Sequence, residues 1–174
     1  MDKSVSFLIS DIPGFTPQIS RLISMMNYTR YTTLSEVKGL GIEQLDFLHD
    51  SQSNSIGALL LHIAAVEIWY QADTFMSREL NAEEMLEWGA ALDLGDQARR
   101  EIRGNDLDYY VSRLEQARKQ TLSELERQED KWLEQQTPFW AGQPANNYFK
   151  WFHVMEDELS HRGQIRWLRK RTGK

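Results

Sequence analysis

The chain has 174 residues, of which 41% are hydrophobic and 26% charged, with a formal net charge of −6. These values are typical of one soluble globular domain, which we place at residues 1–174. The acidic balance argues against a nucleic-acid partner, and no segment reaches the roughly 18 apolar residues of a membrane span. We therefore expect a cytoplasmic protein with neither a nucleic-acid nor a membrane partner. Because the chain contains no cysteine, it has no disulfide, no thiolate zinc site and no cysteine nucleophile.

Two amphipathic or apolar helices are predicted in the first half of the chain. Thr16 followed by Pro17 matches a helix N-cap and first helical position, which predicts a helix from Pro17 to about Lys38. Asn54 or Ser55 is expected to cap a second helix, over residues 56–70. That segment is apolar almost all round, so it is predicted to be the most buried helix.

The second half of the chain predicts two more long helices after a charged connection. The connection, residues 77–105, is expected to hold short helices around Ala82–Trp88 and Asp96–Ile102. A third long helix is predicted from Asp106 to about Gln135, and a fourth from Ala145 to Arg171, after a break that contains two prolines. No useful length of strand alternation occurs. Four long helices without strands predict an all-α four-helix bundle.

The scarce histidines follow a helical spacing. His153, Asp157 and His161 are four residues apart on the fourth helix, so their side chains share one face. Two such groups on one helix are a natural source of metal ligands, and a third ligand is then needed from a facing helix. His62, on the second helix, is the remaining helical histidine, since His49 falls in a loop.

A structural interpretation of the same residues stays open. Leu159 lies nearly opposite Asp157, so the stripe of His153 and His161 also fits an ordinary solvated helix face. His62 also fits a core histidine that bonds to a neighbouring group. Gly163 costs helix stability, which indicates close approach of a helix or ligand, or simply a tolerated flaw.

Two stretches resemble the DinB/YfiT-like superfamily, and the resemblance extends over nearly the whole chain. They are residues 45–67, which contain Leu61-His62-Ile63-Ala64, and residues 153–165, which contain His161-Arg162-Gly163-Gln164. The resemblance implies a four-helix bundle of the DinB type, here with short extra helices between the second and third long helices. It also implies a divalent metal (zinc, nickel, manganese or iron) held by three histidines.

Transferred by position, the implied metal ligands are His62, Asp157 and His161. The family has histidine at the middle position, where this chain has Asp157. A carboxylate there gives a set of two histidines and one carboxylate with open positions, or it marks a member that has lost its metal. His153 is expected to be a substitute ligand or a hydrogen-bonding partner of a ligand.

The resemblance implies activation of an external small thiol such as bacillithiol, mycothiol or glutathione. Our main hypothesis is therefore a metal-dependent thiol transferase acting on a small-molecule substrate. Glu67 and Glu156 are expected to accept hydrogen bonds from ligating histidines or to handle protons, while Glu158 is expected on the surface. The alternatives are a hydrolase with a metal-bound water and a non-catalytic bundle. Six tryptophans favour the bundle interpretation and a homodimer, since exposed tryptophans mark interfaces.

Overall fold

Four long helices dominate the computed structural model, which describes residues 7–172. They are α1 (Pro17–Val37), α3 (Ile56–Met76), α6 (Leu107–Leu125) and α7 (Asn147–Arg169). Three short helices, α2 (Ile42–Leu45), α4 (Ala82–Asp93) and α5 (Gly95–Glu101), lie in the connections. The predicted all-α bundle of the DinB type is therefore confirmed. Within the described range, no helix is both long and apolar enough to cross a membrane.

The long helices are not arranged in simple sequence order. α3 packs against both α6 and α7, whereas α1 packs mainly against α7 and less extensively against α6. The order around the bundle is therefore α1, α7, α3, α6, which places the consecutive helices α1 and α3 on a diagonal. This arrangement makes α3 and α7 neighbours, although 70 or more residues separate them along the chain. The candidate site lies between these two helices.

The helix starts follow the predicted capping chemistry, with one long-range exception. Ser55, predicted as a cap, accepts a hydrogen bond from the Ala58 N–H. Thr16 occupies the N-cap position of α1, but its side chain does not cap the helix. Instead, Asp130 Oδ1 accepts hydrogen bonds from the Thr16 hydroxyl at 2.5 Å and from the Gln18 N–H at 3.0 Å. A residue far along the chain thus caps the first helix.

The third long helix is shorter than predicted. It ends at Leu125, and the expected continuation to Gln135 is replaced by a turn and a 3-10 helix over Asp130–Glu134. The charged residues after Leu125 favour a helix locally, but the tertiary structure overrides this preference. Asp130 lies beyond the end of α6, where it caps α1. Trp132 and Leu133, which follow it, are buried against the bundle.

The prediction of no strands is wrong at one place. β1 (Gln136–Pro138) pairs antiparallel with β2 (Pro144–Asn146), and each strand is too short to show alternation in the sequence. Lys150, on α7, holds this hairpin: its Nζ donates to Thr137 Oγ1 at 2.5 Å and to Asp73 Oδ2 at 2.6 Å. The hairpin is thereby fixed to both α3 and α7.

The core consists of two apolar clusters with a charged layer between them. One cluster contains Val37, Leu60, Ala64, Leu114 and Ile165, and the other contains Met26, Tyr70, Leu125, Trp151 and Val154. As predicted, α3 is largely buried, and it contributes to both clusters. Each long helix crosses the boundary between the clusters at a charged residue: Arg30, Glu67, Arg118 and Glu158.

Candidate metal centre

Three predicted residues come together between α3 and α7. His62, in the first third of α3, faces Asp157 and His161, which lie one turn apart on α7. His62 Nε2 lies 3.7 Å from Asp157 Oδ2, and His161 Nε2 lies 3.3 Å from Asp157 Oδ1. One ligand atom from each residue lies within 4.8 Å of the other two. Because Asp157 and His161 are four residues apart on α7, their side chains lie on one face of that helix and both reach His62 on α3.

A backbone group on α4 orients His62. Nδ1 of His62 lies 2.7 Å from the carbonyl oxygen of Ala91. A carbonyl only accepts hydrogen bonds, so Nδ1 carries the hydrogen and donates it. In the neutral ring, Nε2 then has a free lone pair on the side facing Asp157. Hydrogen bonding of one ring nitrogen to a carbonyl is the usual way to orient a histidine whose other nitrogen binds a metal.

Two polar atoms of this cluster lack hydrogen-bond partners although they are buried. They are Asp157 Oδ2 and His161 Nδ1. A buried polar atom without a partner costs free energy, so such atoms in a native protein point to a bound group. An anionic carboxylate oxygen between two imidazoles suits a cation. The orphaned carboxylate oxygen therefore fits a metal ion.

The electrostatics of the cluster couple its three side chains. Burial lowers the pKa of His62, but the attraction of the nearby Asp157 carboxylate outweighs it, and the pKa is raised overall. Burial also raises the pKa of Asp157, but the attraction of the His161 and His62 imidazoles reverses this and leaves the pKa well below its usual range. Asp157 is thus held as a carboxylate.

The donor set suits a transition-metal or zinc ion. Two imidazoles and one carboxylate supply nitrogen and oxygen ligands, which suit zinc, iron, nickel or manganese and leave coordination positions open. An oxygen at the middle position shifts the preference toward harder ions than three imidazoles would. The residues present therefore fit the divalent metal that the resemblance implies.

His153 and His49 lie outside the cluster. His153 is one turn before Asp157 on α7, and its Nδ1 lies 2.9 Å from Glu156 Oε2. Its ring contacts an aromatic group that includes Trp140, with ring centroids 5.0 Å apart. His49 packs edge-on against Trp167 at 4.6 Å, after α2. The structure thus places Glu156 beside His153 rather than beside His62 or His161.

The expectations for Glu67 and Glu158 are corrected by the structure. Glu67 is fully buried, but its oxygens accept hydrogen bonds from Arg30, Arg118 and Thr121 rather than from a ligating histidine. Glu158, expected on the surface, is 1% exposed and pairs with Arg30 through two hydrogen bonds. Both glutamates neutralise buried arginines in the charged layer, because an unpaired charge there would be costly.

Sequence reasoning missed the arginines of the charged layer. Arg30 lies on the apolar stripe of α1, three to four residues from the buried Met26 and Thr33. A cation in such a stripe signals a buried ion pair, but its partners are on other helices. Lys150 was missed for the same reason: it is 1% exposed and bonds across to Asp73 and Thr137.

The structure also shows the surroundings of Gly163 and the exposure of the tryptophans. Among residues 7–172, and apart from the adjacent residues and the helix's own backbone, no atom comes within 4 Å of the position that a Cβ of Gly163 would occupy, so no other described helix approaches it closely. Trp151 is buried, while Trp69 is half-buried against the second core cluster. Trp140 and Trp167 are 65% and 43% exposed. Both border grooves on the surface of the bundle.

The fold and this cluster define a class: a helical bundle with a His–Asp–His group between two neighbouring long helices. Residues 21–173 match the family model described as mycothiol-S-transferase. Since the match covers most of the chain, the protein belongs to this family, which is DinB/YfiT-like. A comparison with curated proteins finds no significant match.

Proposed function

We propose that the protein is a divalent-metal-dependent transferase that joins a small external thiol to an electrophilic carbon. The family match supports transferase chemistry with a thiol. The absence of cysteine means that the sulfur comes from outside the chain. The proposed metal ligands are His62, Asp157 and His161.

The observation that carries the proposal is the buried, unpartnered Asp157 Oδ2 between two histidines. A purely structural ion-pair cluster would satisfy this oxygen by a hydrogen bond from a neighbouring group. Here His62 Nε2, at 3.7 Å, is too distant for a hydrogen bond, and its other nitrogen is already engaged by Ala91. The three ligand atoms are therefore oriented toward a shared space without bonding fully to one another.

When bound, a divalent ion supplies positive charge that lowers the pKa of a thiol and stabilises the thiolate. The residues of this chain hold and orient the reacting groups. Ala91 fixes the His62 ring, and α7 fixes the spacing of Asp157 and His161. In the transfer, the sulfur–carbon bond forms, the bond to the leaving group breaks with its electron pair, and the thiol proton passes to solvent or a base.

Two measurements test the proposal. Elemental analysis of the purified protein should find about one divalent metal ion per chain, the number that one three-residue site holds. The loaded protein should transfer a thiol from mycothiol, bacillithiol or glutathione to an electrophile such as 1-chloro-2,4-dinitrobenzene faster than metal-free protein does. Transfer that is identical with and without metal would overturn the proposal. Ester or amide hydrolysis without thiol transfer would instead favour the metal-dependent hydrolase.

A further inference from the structure

A groove of about 630 Å³ runs between α1 and α6, two helices that pack only sparsely against each other. The segment before α1 forms part of its wall through Ile12, which is held in place because its N–H donates to Ser20 Oγ at 3.0 Å. In the order of helices around the bundle, this side lies opposite the α3–α7 side, so the groove is separate from the metal cluster. A space of this size suits a small organic molecule.

The groove reaches the cationic side of the charged layer. Arg30 and Arg118 both line it, although they are only 7% and 8% exposed. The carboxylates that pair with these arginines, Glu67 and Glu158, do not line it. A molecule in the groove therefore meets the guanidinium groups before it meets their counter-ions.

Several hydrogen-bond donors in this wall lack a good partner. Nε and Nη2 of Arg118 donate to Glu67, but Nη1 has only Asn27 Oδ1, at 3.5 Å, the outer limit of a hydrogen bond. The ammonium of Lys119, next along α6, and the hydroxyl of Tyr31, one turn from Asn27 on α1, make no hydrogen bond within residues 7–172. Because a buried guanidinium normally uses all its donors, the spare donor of Arg118 points to a ligand with an acceptor.

The charges around the groove favour an anion. Three lining residues are cationic (Arg30, Arg118 and Lys119) and one, Glu115, is anionic, in a chain whose net charge is −6. Glu115 is exposed to solvent, whereas both arginines are buried, so the cationic groups dominate the depth of the groove. Since each arginine keeps its buried glutamate, the spare donors match a single negative charge.

The remaining walls are largely apolar. Leu122 lies one turn beyond Arg118 on α6, and Leu8, Ile12 and Leu34 also line the groove. A head group at Arg118 therefore leaves an apolar path along Leu122 toward Ile12, where burial of hydrocarbon is favourable. This combination matches a carboxylate with an alkyl or aryl body.

We propose that the groove between α1 and α6 binds a small amphipathic carboxylate. Its head group accepts hydrogen bonds from Arg118 and Lys119, and its apolar body lies along Leu122 and Ile12. The site is distinct from the proposed metal centre and does not depend on the proposed function.

Isothermal titration with four eight-carbon or shorter probes tests the class of ligand. Octanoate should bind with a Kd of about 1 mM or below. Octan-1-ol, which lacks the charge, should bind about tenfold more weakly, because hydrogen bonds to charged groups are stronger than neutral ones. Octylammonium, of opposite charge, should bind no better than the alcohol. Acetate, which lacks the apolar body, should bind at least about tenfold more weakly than octanoate.

Two pairs of variants locate the binding. Asn27→Trp fills the groove from an exposed position on α1 and should abolish octanoate binding, whereas Ser35→Trp, exposed on the same helix outside the groove, should not. Lys119→Glu should weaken binding at least about threefold by reversing a charge at the head group. Lys131→Glu, at an exposed lysine outside the groove, should bind like the wild type.

The outcomes separate this site from the metal centre. A preference for octanoate that is lost in Asn27→Trp and reduced in Lys119→Glu supports the proposal, and if Asn27→Trp does not fold, Lys119→Glu decides. Equal affinity for octanoate and octylammonium, wild-type affinity in the groove variants, or a Kd for octanoate above about 10 mM overturns it. Asp157→Ala should bind octanoate like the wild type, and loss of binding there would place the carboxylate at the metal and overturn the proposal. None of these measurements requires metal or thiol transfer, so failure of the proposed function leaves them unaffected.

Discussion

His62 donates a hydrogen bond from Nδ1 to the Ala91 carbonyl at 2.7 Å, which leaves Nε2 facing Asp157. Because this nitrogen is proposed to bind metal in the folded state alone, metal should stabilise the protein by mass action. The expected gain in the free energy of unfolding is about 2.7 kcal/mol at a metal concentration 100 times the Kd. His62→Ala should abolish this gain, measured as the shift in melting temperature on adding zinc, nickel or manganese.

His49→Ala is the matched control for this measurement. His49 lies outside the cluster, against Trp167. The variant should therefore keep the full metal-dependent shift. Equal loss of the shift in both variants would contradict the assignment of His62 as a ligand.

Asp157, the proposed ligand that departs from the family pattern, allows a second test. Asp157→Ala should weaken metal binding by at least about 100-fold, which is the upper end of the effect of losing a group that merely supports a ligand. Asp157→His should retain binding, because imidazole at this position restores the three-histidine set that the resemblance implies. Metal affinity from competition with a chelator measures both. An unchanged affinity in Asp157→Ala would show that the carboxylate is not a ligand.

The parts of the molecule that sequence predicted well depend on local spacing. The helical spacing of His153, Asp157 and His161 can be recognised from the local sequence alone, without any information on distant residues. The start of α3 at a Ser55 cap is local in the same sense. These features could be placed on helices before any tertiary contact was known.

The features that sequence did not predict depend on partners far along the chain. Asp130 caps α1 across more than 110 residues, which also explains why the third long helix ends early. The sequence predicts Glu158 on the surface because a glutamate on a helix is normally solvated. Its burial follows from Arg30, which lies 128 residues away and pairs with it.

Two glycines in helices provide a matched test of packing. A Cβ at Gly57 would lie 2.5 Å from the hydroxyl oxygen of the fully buried Tyr110, whereas a Cβ at Gly163 would have no atom of another part of the described chain within 4 Å. Gly163→Ala should stabilise the protein by about 0.5–1 kcal/mol, the helix propensity gain. Gly57→Ala should be less favourable than this by about 1–3 kcal/mol, because the core is overpacked. Chemical denaturation measures both, and equal effects would contradict the close approach of Tyr110.

Glu67 tests the energetic role of the charged layer. Burial alone would raise its pKa, but the charges of Arg118 and Arg30 and the hydrogen bonds to it lower the pKa below the ordinary value of 4.5. Glu67→Gln keeps the shape but leaves two buried arginines sharing Glu158. Near neutral pH this should lower the free energy of unfolding by about 3–5 kcal/mol. The exposed Glu43→Gln, on α2, should change it by less than about 0.5 kcal/mol.

The free energy of unfolding of wild type and of Glu67→Gln, measured against pH, tests whether the charge of Glu67 stabilises the fold. A carboxylate whose pKa is lowered by folding contributes its full stability above 4.5, and the contribution is lost as the pH falls through the folded-state pKa. The difference in free energy of unfolding between wild type and Glu67→Gln should therefore shrink as the pH falls below 4.5. Other carboxylates titrate in both proteins, so the difference isolates Glu67. A constant difference down to the acid transition would show that the Glu67 charge does not stabilise the fold.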